Sequence, residues 1–298
     1  MPFDALIVGG GPAGLTGAIY LARFRRSVLV IDEGKSRAAS IPRSHNVPGY
    51  PDGVIGGELV AAMHAQAERY GVRFAAGRVQ AIDASDSGFS VRYGRERARA
   101  RSVLLATGAS DVPPAMPHLA EAMRIGALRY CPVCDGFEVI DQRVGVIADR
   151  AADITEALYL RHFTPHLTIF RAGPCLAFGA TDRRRLARFG VAVVDAPIES
   201  IRLWQGRVTV RHGEGETKCD ALYSALGLHV HSELGVALGA KTDANGYLIA
   251  DRHQRTSVEG LYAAGDVARG LNQISVAAGG AAVAAAAMHR WLGTPIER

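Results

Sequence analysis

The sequence has little of what marks a membrane, secreted or nucleic-acid-binding protein. It contains no run of about 18 apolar residues, the length a spanning helix needs. The N-terminus has no basic region followed by a cleavable apolar stretch. Its short run Ala5-Leu6-Ile7-Val8 leads straight into GGGPAG and reads as a core strand, not a leader. Only four cysteines occur in 298 residues. That is too few for a disulfide-stapled scaffold, and it fits a reducing, cytoplasmic setting. The net charge of +5 is mild and scattered. The densest basic runs, RERARAR (95–101) and DRRRLAR (182–188), read as solvated faces, so neither nucleic acid nor a membrane is an expected partner. No second CxxC accompanies Cys131-Pro-Val-Cys134, and Cys175 and Cys219 stand isolated. Zinc wants four ligands, usually with a second CxxC or paired histidines, so no metal site is expected, and the two lone cysteines read as buried thiols.

What is present is an internal repeat. Residues 5–34, ALIVGGGPAGLTGAIYLARFRRSVLVIDEG, align without a gap on residues 144–173, VGVIADRAADITEALYLRHFTPHLTIFRAG, at an offset of 139. Ala13, Thr16, Ala18, Tyr20, Leu21, Phe24 and Gly34 meet identical residues. The likeness continues at an offset of 119, where GVRF (71–74) meets GVAV (190–193) and LLATGAS (104–110) meets YSALGLH (223–229). The first copy therefore carries 20 more residues between Gly34 and Gly71, including the loop-forming SHNVPGYPDGVIGG. The second copy is read to end near residue 244. The tail from Asn245-Gly246 onward has no partner after it. The implied fold is α/β, with two Rossmann-like, three-layer ββα dinucleotide-binding domains. Residues 1–115 and 245–298 form the first, and residues 116–244 are inserted into it.

The first copy has G-x-G-x-x-G at Gly9, Gly11 and Gly14, with Pro12 and Ala13 between, directly after a strand and before an apolar-periodic helix. Asp32 and Glu33 end the next strand, about 20 residues on, where a carboxylate can bind ribose hydroxyls. Strand, glycines, helix and acid in register predict a dinucleotide site whose pyrophosphate lies on the helix start. The equivalent turn of the second copy, ADRAAD, has no glycine. Asp149 and Asp153 place negative charge where an anion should sit, and an aspartate there caps the helix by itself. Arg150 offsets part of that charge, and Arg171, where the first copy has Asp32, suits a 2′-phosphate. Cys131 and Cys134, three apart near a helix start, supply an attacking thiolate and a resolving partner for disulfide exchange. Asp135 follows, either as an acid/base in an apolar cleft or as a helix N-cap.

GGGPAG, HNVPGYPDG, ATG (106–108), CPVCDG and TSVEGLYAAGDV occur in that order, and in this the sequence resembles low-molecular-weight thioredoxin reductases over nearly its whole length. The resemblance implies FAD in the first domain. Asp266, after Gly265, would hold the ribitol. The helix start at Gln273-Ile274-Ser275 would approach the flavin and pyrophosphate. Asn46 would border the isoalloxazine, and Gly108 would lie beside the nucleotide. It further implies that Asp135 is the acid/base of the dithiol and that the protein is a homodimer. With it we expect Cys134 to face the flavin and Cys131 to attack the external disulfide, on a thioredoxin-like protein or a small molecule. In the family the second turn is glycine-rich and binds NADPH, so here the electron source is open. NADPH, ferredoxin, a second flavin, or reverse flow from a dithiol to oxygen all stand, as does a redox sensor without turnover.

Overall fold

The computed structural model describes residues 1–148, 153–172, 178–268 and 270–293. β1 (Phe3–Val8) and β2 (Val28–Asp32) flank helix α1 (Pro12–Arg23). Their apolar runs are buried almost throughout, as in a parallel sheet covered on both faces. A long loop with one 3-10 turn (Arg37–Ser40) leads to α2 (Gly56–Arg69) and β3 (Arg73–Ala76). An antiparallel meander follows, β4 (Val79–Ser85), β5 (Gly88–Tyr93) and β6 (Glu96–Leu105), and the chain leaves through β7 (Ala109–Asp111). Alternate residues of β1 serve opposite cores, as the period of a strand requires. Leu6 and Val8 pack with the meander, while Ala5 and Ile7 pack with α1 and the C-terminal helix.

The second unit begins with α3 (Leu119–Arg124), β8 (Leu128–Arg129) and the four-residue α4 (Pro132–Asp135). Its own parallel sheet and meander follow. These are β9 (Val144–Ala148), α5 (Asp153–Leu160), β10 (Leu167–Arg171), α6 (Ala180–Arg188), β11 (Ala192–Val194), β12 (Ile198–Trp204), β13 (Arg207–His212), β14 (Gly215–Cys219) and β15 (Ala221–Ala225). The chain returns through β16 (Leu228–Val230) to α7 (Glu233–Ala237), β17 (Leu261–Ala263) and α8 (Ile274–Trp291). The parallel ladder β3-β2-β1-β6 thus has its counterpart in β11-β10-β9-β15.

The duplication extends to the register of individual residues. Ala5 pairs with Val28 and Ser102; its counterpart Val144 pairs with Leu167 and Ala221. The irregularity between Val79 and Ala81 recurs between Ile198 and Ser200. The apparently unpartnered tail also has a counterpart, but before the second copy instead of after it. β17 lies beside β6 with Leu261 opposite Val103, and β8 lies beside β15 with Leu128 opposite Leu222.

The crossings between the units are a repeated pair as well. β7 and β16 correspond at the 119 offset and pair antiparallel with each other, Ser110 opposite His229. Residues 231–244, read with the insertion although the repeat alignment stops at 229, contribute Leu234, Leu238 and Ala240 to the core of the first unit. Small residues bring α8 close to α1: Ala277, Ala281, Ala284 and Ala285 are buried in the core they share. A larger side chain there would overpack the layer, at a cost of about 1–3 kcal/mol.

Candidate functional site

Glycine is required at the first turn by geometry, not composition. Gly9 has φ +108°, and a Cβ on it would lie 2.3 Å from the Ala106 carbonyl oxygen. A Cβ on Gly14 would lie 1.9 Å from the Gly9 carbonyl oxygen. Helix α1 starts after Gly11 with Pro12 in its first turn and no side chain bonding its leading amides. Those amides, with the positive helix end, form an anion cradle that fits a pyrophosphate. Asp32 accepts hydrogen bonds from Gly10 N (2.9 Å) and Gly34 N (3.1 Å), so it fastens the turn. Glu33, exposed and 3.5 Å from Lys35, is the carboxylate left at the rim.

On the far side of the turn, Gly265 (φ +81°) brings the segment before α8 against Ala13, 2.8 Å from a Cβ placed on the glycine. Asp266 pairs with Arg37 at 3.1 Å. Burial pushes its carboxyl above the ordinary range, and Arg37 draws it part of the way back. Arg37 also forks onto Asp111, at 2.7 and 2.6 Å. Neither Arg37 nor Asp111 stands out in the sequence; the only hint is their place, one in the extra loop and one at the crossing. Gly108, with φ +70°, accepts the His231 amide at 3.0 Å and so lies at the crossing.

The cysteines meet this first unit directly. Cys131 and Cys134 form a disulfide. Cys131 is the N-cap of α4, its sulfur accepting the Cys134 amide at 3.2 Å. Gln273, the N-cap of α8, donates from Nε2 to both sulfurs, at 3.3 Å to Cys131 and 3.2 Å to Cys134. Its Oε1 accepts from Asn46 Nδ2 at 2.9 Å, and Ser44 Oγ donates to Asn46 Oδ1 at 2.9 Å. Asn46, Gln273 and both cysteines, from three distant parts of the chain, therefore converge. Ile274 is the first residue of α8. The two sulfurs are alike in being half-buried and within reach of the same amide.

Asp135 ends α4, so the N-cap alternative fails: Cys131 holds that position. Its carboxylate receives Tyr223 OH at 2.7 Å on Oδ1 and pairs with Arg129 at 2.9 Å on Oδ2. Burial raises its pKa, and Arg129 and Tyr223 lower it without overcoming that rise. Burial also raises the Tyr223 phenol, which stays a donor. Arg129 and Tyr223 are invisible to motif reading because they become neighbours only when β8 and β15 pair.

In the second unit Asp149 and Arg150 lie outside the described residues. Asp153 is the first residue of α5 and is buried at 2 % exposure. Arg171 ends β10 and is half-buried. It adds to the pull, led by Arg183, that holds the Asp195 carboxyl below its ordinary range. Cys219 is buried, and burial pushes its thiol up to about 12, in keeping with an inert apolar role. Cys175 is not among the described residues.

The pyridine nucleotide-disulphide oxidoreductase family model matches residues 3–281. The chain belongs to this family. Within it the chain is of the low-molecular-weight thioredoxin reductase type, a flavin-dependent disulfide oxidoreductase. It is 34% identical to a thioredoxin reductase of Treponema pallidum, over 98% of both chains. The thioredoxin reductase structure from Streptococcus pyogenes is 29% identical, covers 97% of this chain and 98% of its own, and superposes with a TM-score of 0.89. The Lactococcus lactis thioredoxin reductase in its FR conformation has nearly the same identity, 28%, and coverage, 97% and 99%, yet its TM-score is 0.64. No described helix is long and apolar enough to cross a membrane.

Proposed function

We propose that the chain exchanges electrons between FAD, held in the first unit, the Cys131/Cys134 pair and an external disulfide. The observation that carries the reading is the amide of Gln273, which reaches both sulfurs from the start of the helix that closes the nucleotide cradle. When bound, FAD supplies a two-electron couple; Gly9, Gly11, Pro12, Ala13, Gly14, Glu33, Asn46, Gly108, Gly265, Asp266 and Ile274 are the residues we assign to holding it.

The chain's own part is thiol exchange. In the reduced pair the Cys131 thiolate attacks one sulfur of the external disulfide, forming a mixed disulfide and releasing one thiolate. Cys134 then attacks Cys131, restores the internal disulfide and releases the second thiolate. Two electrons have passed to the substrate. Asp135, its pKa raised by burial, delivers a proton to a leaving thiolate, and Arg129 and Tyr223 fix its position. A thioredoxin-like protein is the partner that fits the family, and a small-molecule disulfide fits the chemistry. The reading carries a cytoplasmic homodimer with it.

We further propose that the second unit does not hold NADPH in the usual way, because a buried aspartate starts the helix whose end would face the pyrophosphate. Anaerobic titration of the yellow protein tests both statements. A dithiol should bleach the flavin band near stoichiometry, and NADPH should not. Failure of the dithiol sinks the electron path, and rapid bleaching by NADPH sinks the closed second site. Peroxide release with a dithiol in air would assign oxygen as the acceptor, and flavin reduction by reduced ferredoxin would assign that donor.

A further inference from the structure

We propose that His229, His231 and Glu233 bind a divalent transition cation of the zinc class at the return crossing between the two units. His229 lies on β16 and His231 just past its end, and their rings stand edge to face with centroids 5.0 Å apart. Glu233 follows at the start of α7. The three residues' ligand atoms all lie within 4.8 Å of one another, and His229 Nε2 is already 3.1 Å from Glu233 Oε1. Zinc bonds nitrogen and carboxylate oxygen at about 2.0–2.2 Å, which spaces tetrahedral ligands roughly 3.3 Å apart. Rotamer changes alone can close that difference, because His229 and Glu233 are each 64% exposed. Two imidazoles and a carboxylate are a donor set that zinc uses in sites with a fourth, open position.

The surroundings fix the ligands as a plain surface ion pair would not require. Thr107 Oγ1 donates to the His231 carbonyl at 2.6 Å, and the His231 amide donates to Gly108 O at 3.0 Å, so the backbone between the ligands is anchored to the outgoing chain. Metal-bound imidazoles commonly keep their other nitrogen on an oxygen partner, and Ser110 Oγ stands 2.8 Å from His231 Nε2. Ser110 lies on β7, opposite His229 in the two-stranded ladder. An ion here would tie the outgoing and returning crossings together.

The experiment is calorimetric titration of zinc chloride into the untagged, chelator-treated, oxidised full-length protein, in which the disulfide cannot ligate metal. The expected result is one ion per chain, with affinity reduced about ten-fold or more in His229→Ala, His231→Ala and Glu233→Gln, and by a smaller factor in Ser110→Ala. Hydrogen exchange of the β7 and β16 amides should slow with zinc in the natural protein and not in the His229→Ala/His231→Ala double variant. Binding well short of one ion per chain, or equal binding by the double variant, overturns the site. Unchanged exchange in the zinc-loaded natural protein overturns its placement across the crossing. Melting temperatures equal to the natural protein's show that the variants are folded.

Discussion

The two units keep one frame and differ at the start of one helix. In the first, glycines let the chain pass within 2.3 Å of where a Cβ would sit, and the leading amides of α1 have no side-chain cap. In the second, strands pair in the same register, but α5 opens on a buried aspartate. Strand pairing is set by long apolar runs and tolerates change at the turn. Anion binding is set by a few backbone positions and does not. A duplicated domain can therefore keep its fold whether or not its turn still suits an anion. The largest effects should come from forcing the first turn to resemble the second. Gly14→Val should abolish bound flavin and all turnover, read as the ratio of flavin to protein absorbance. The opposite change, Asp153→Ala, should leave flavin content and disulfide turnover intact and cost about 1 kcal/mol of stability as a lost helix-end interaction. Equal flavin loss in both would break the comparison.

The units also differ in what each brings to the disulfide. The second supplies the sulfurs and the Asp135 carboxyl held by Tyr223; the first supplies the amide that touches the sulfurs. Replacing Cys131 with serine should abolish disulfide turnover and leave a long-wavelength absorbance from the Cys134 thiolate beside oxidised flavin; no such band would reverse the assignment of the two cysteines. Asp135→Asn should slow disulfide turnover by roughly 10²–10⁴-fold. Its pH profile follows in sign. A proton donor must be protonated, so the rate falls as pH rises through the Asp135 pKa, which burial sets above the ordinary carboxylate range. Arg129 lowers that pKa, so Arg129→Met should move the limb to higher pH, and Asp135→Asn should remove it. A limb that stays in place in Arg129→Met would show that another group titrates.

Contiguous patterns made most of the frame legible in the sequence. The repeat alignment at 139 and then 119 picks out equivalent strands in the two units, and the structure pairs those strands in equivalent registers. Residues 231–244 have no repeat counterpart, so the alignment leaves their place open, and only packing shows that Leu234 and Leu238 join the first core. The glycine turn and the cysteine pair are local and are read in place. The partners Arg37, Asp111, Arg129 and Tyr223 come from separate strands and loops, and nothing in their neighbours announces them. His229, His231 and Glu233 are close in sequence but match no familiar ligand motif, and the pairing of β7 with β16 gives their spacing its meaning.

The smallest effect tests where the units meet. Gln273 joins Asn46 to both sulfurs, so its amide serves the oxidised pair and would serve a thiolate better, because hydrogen bonds to charged acceptors are the stronger ones. Gln273→Leu should then lower turnover by about ten-fold, the size expected when a charged group loses one such bond. The loss should appear in the dithiol-to-flavin half reaction. Flavin content should stay near that of the natural protein, since Gln273 touches sulfur and Asn46 and makes no bond to the glycine cradle. Gln273→Glu separates donation from packing: it keeps the shape, removes the donor and sets a negative charge against the thiolate. It should be slower than Gln273→Leu. If instead both variants lose flavin before they lose thiol exchange, Gln273 belongs to the nucleotide cradle, and the link between the two units runs through another residue.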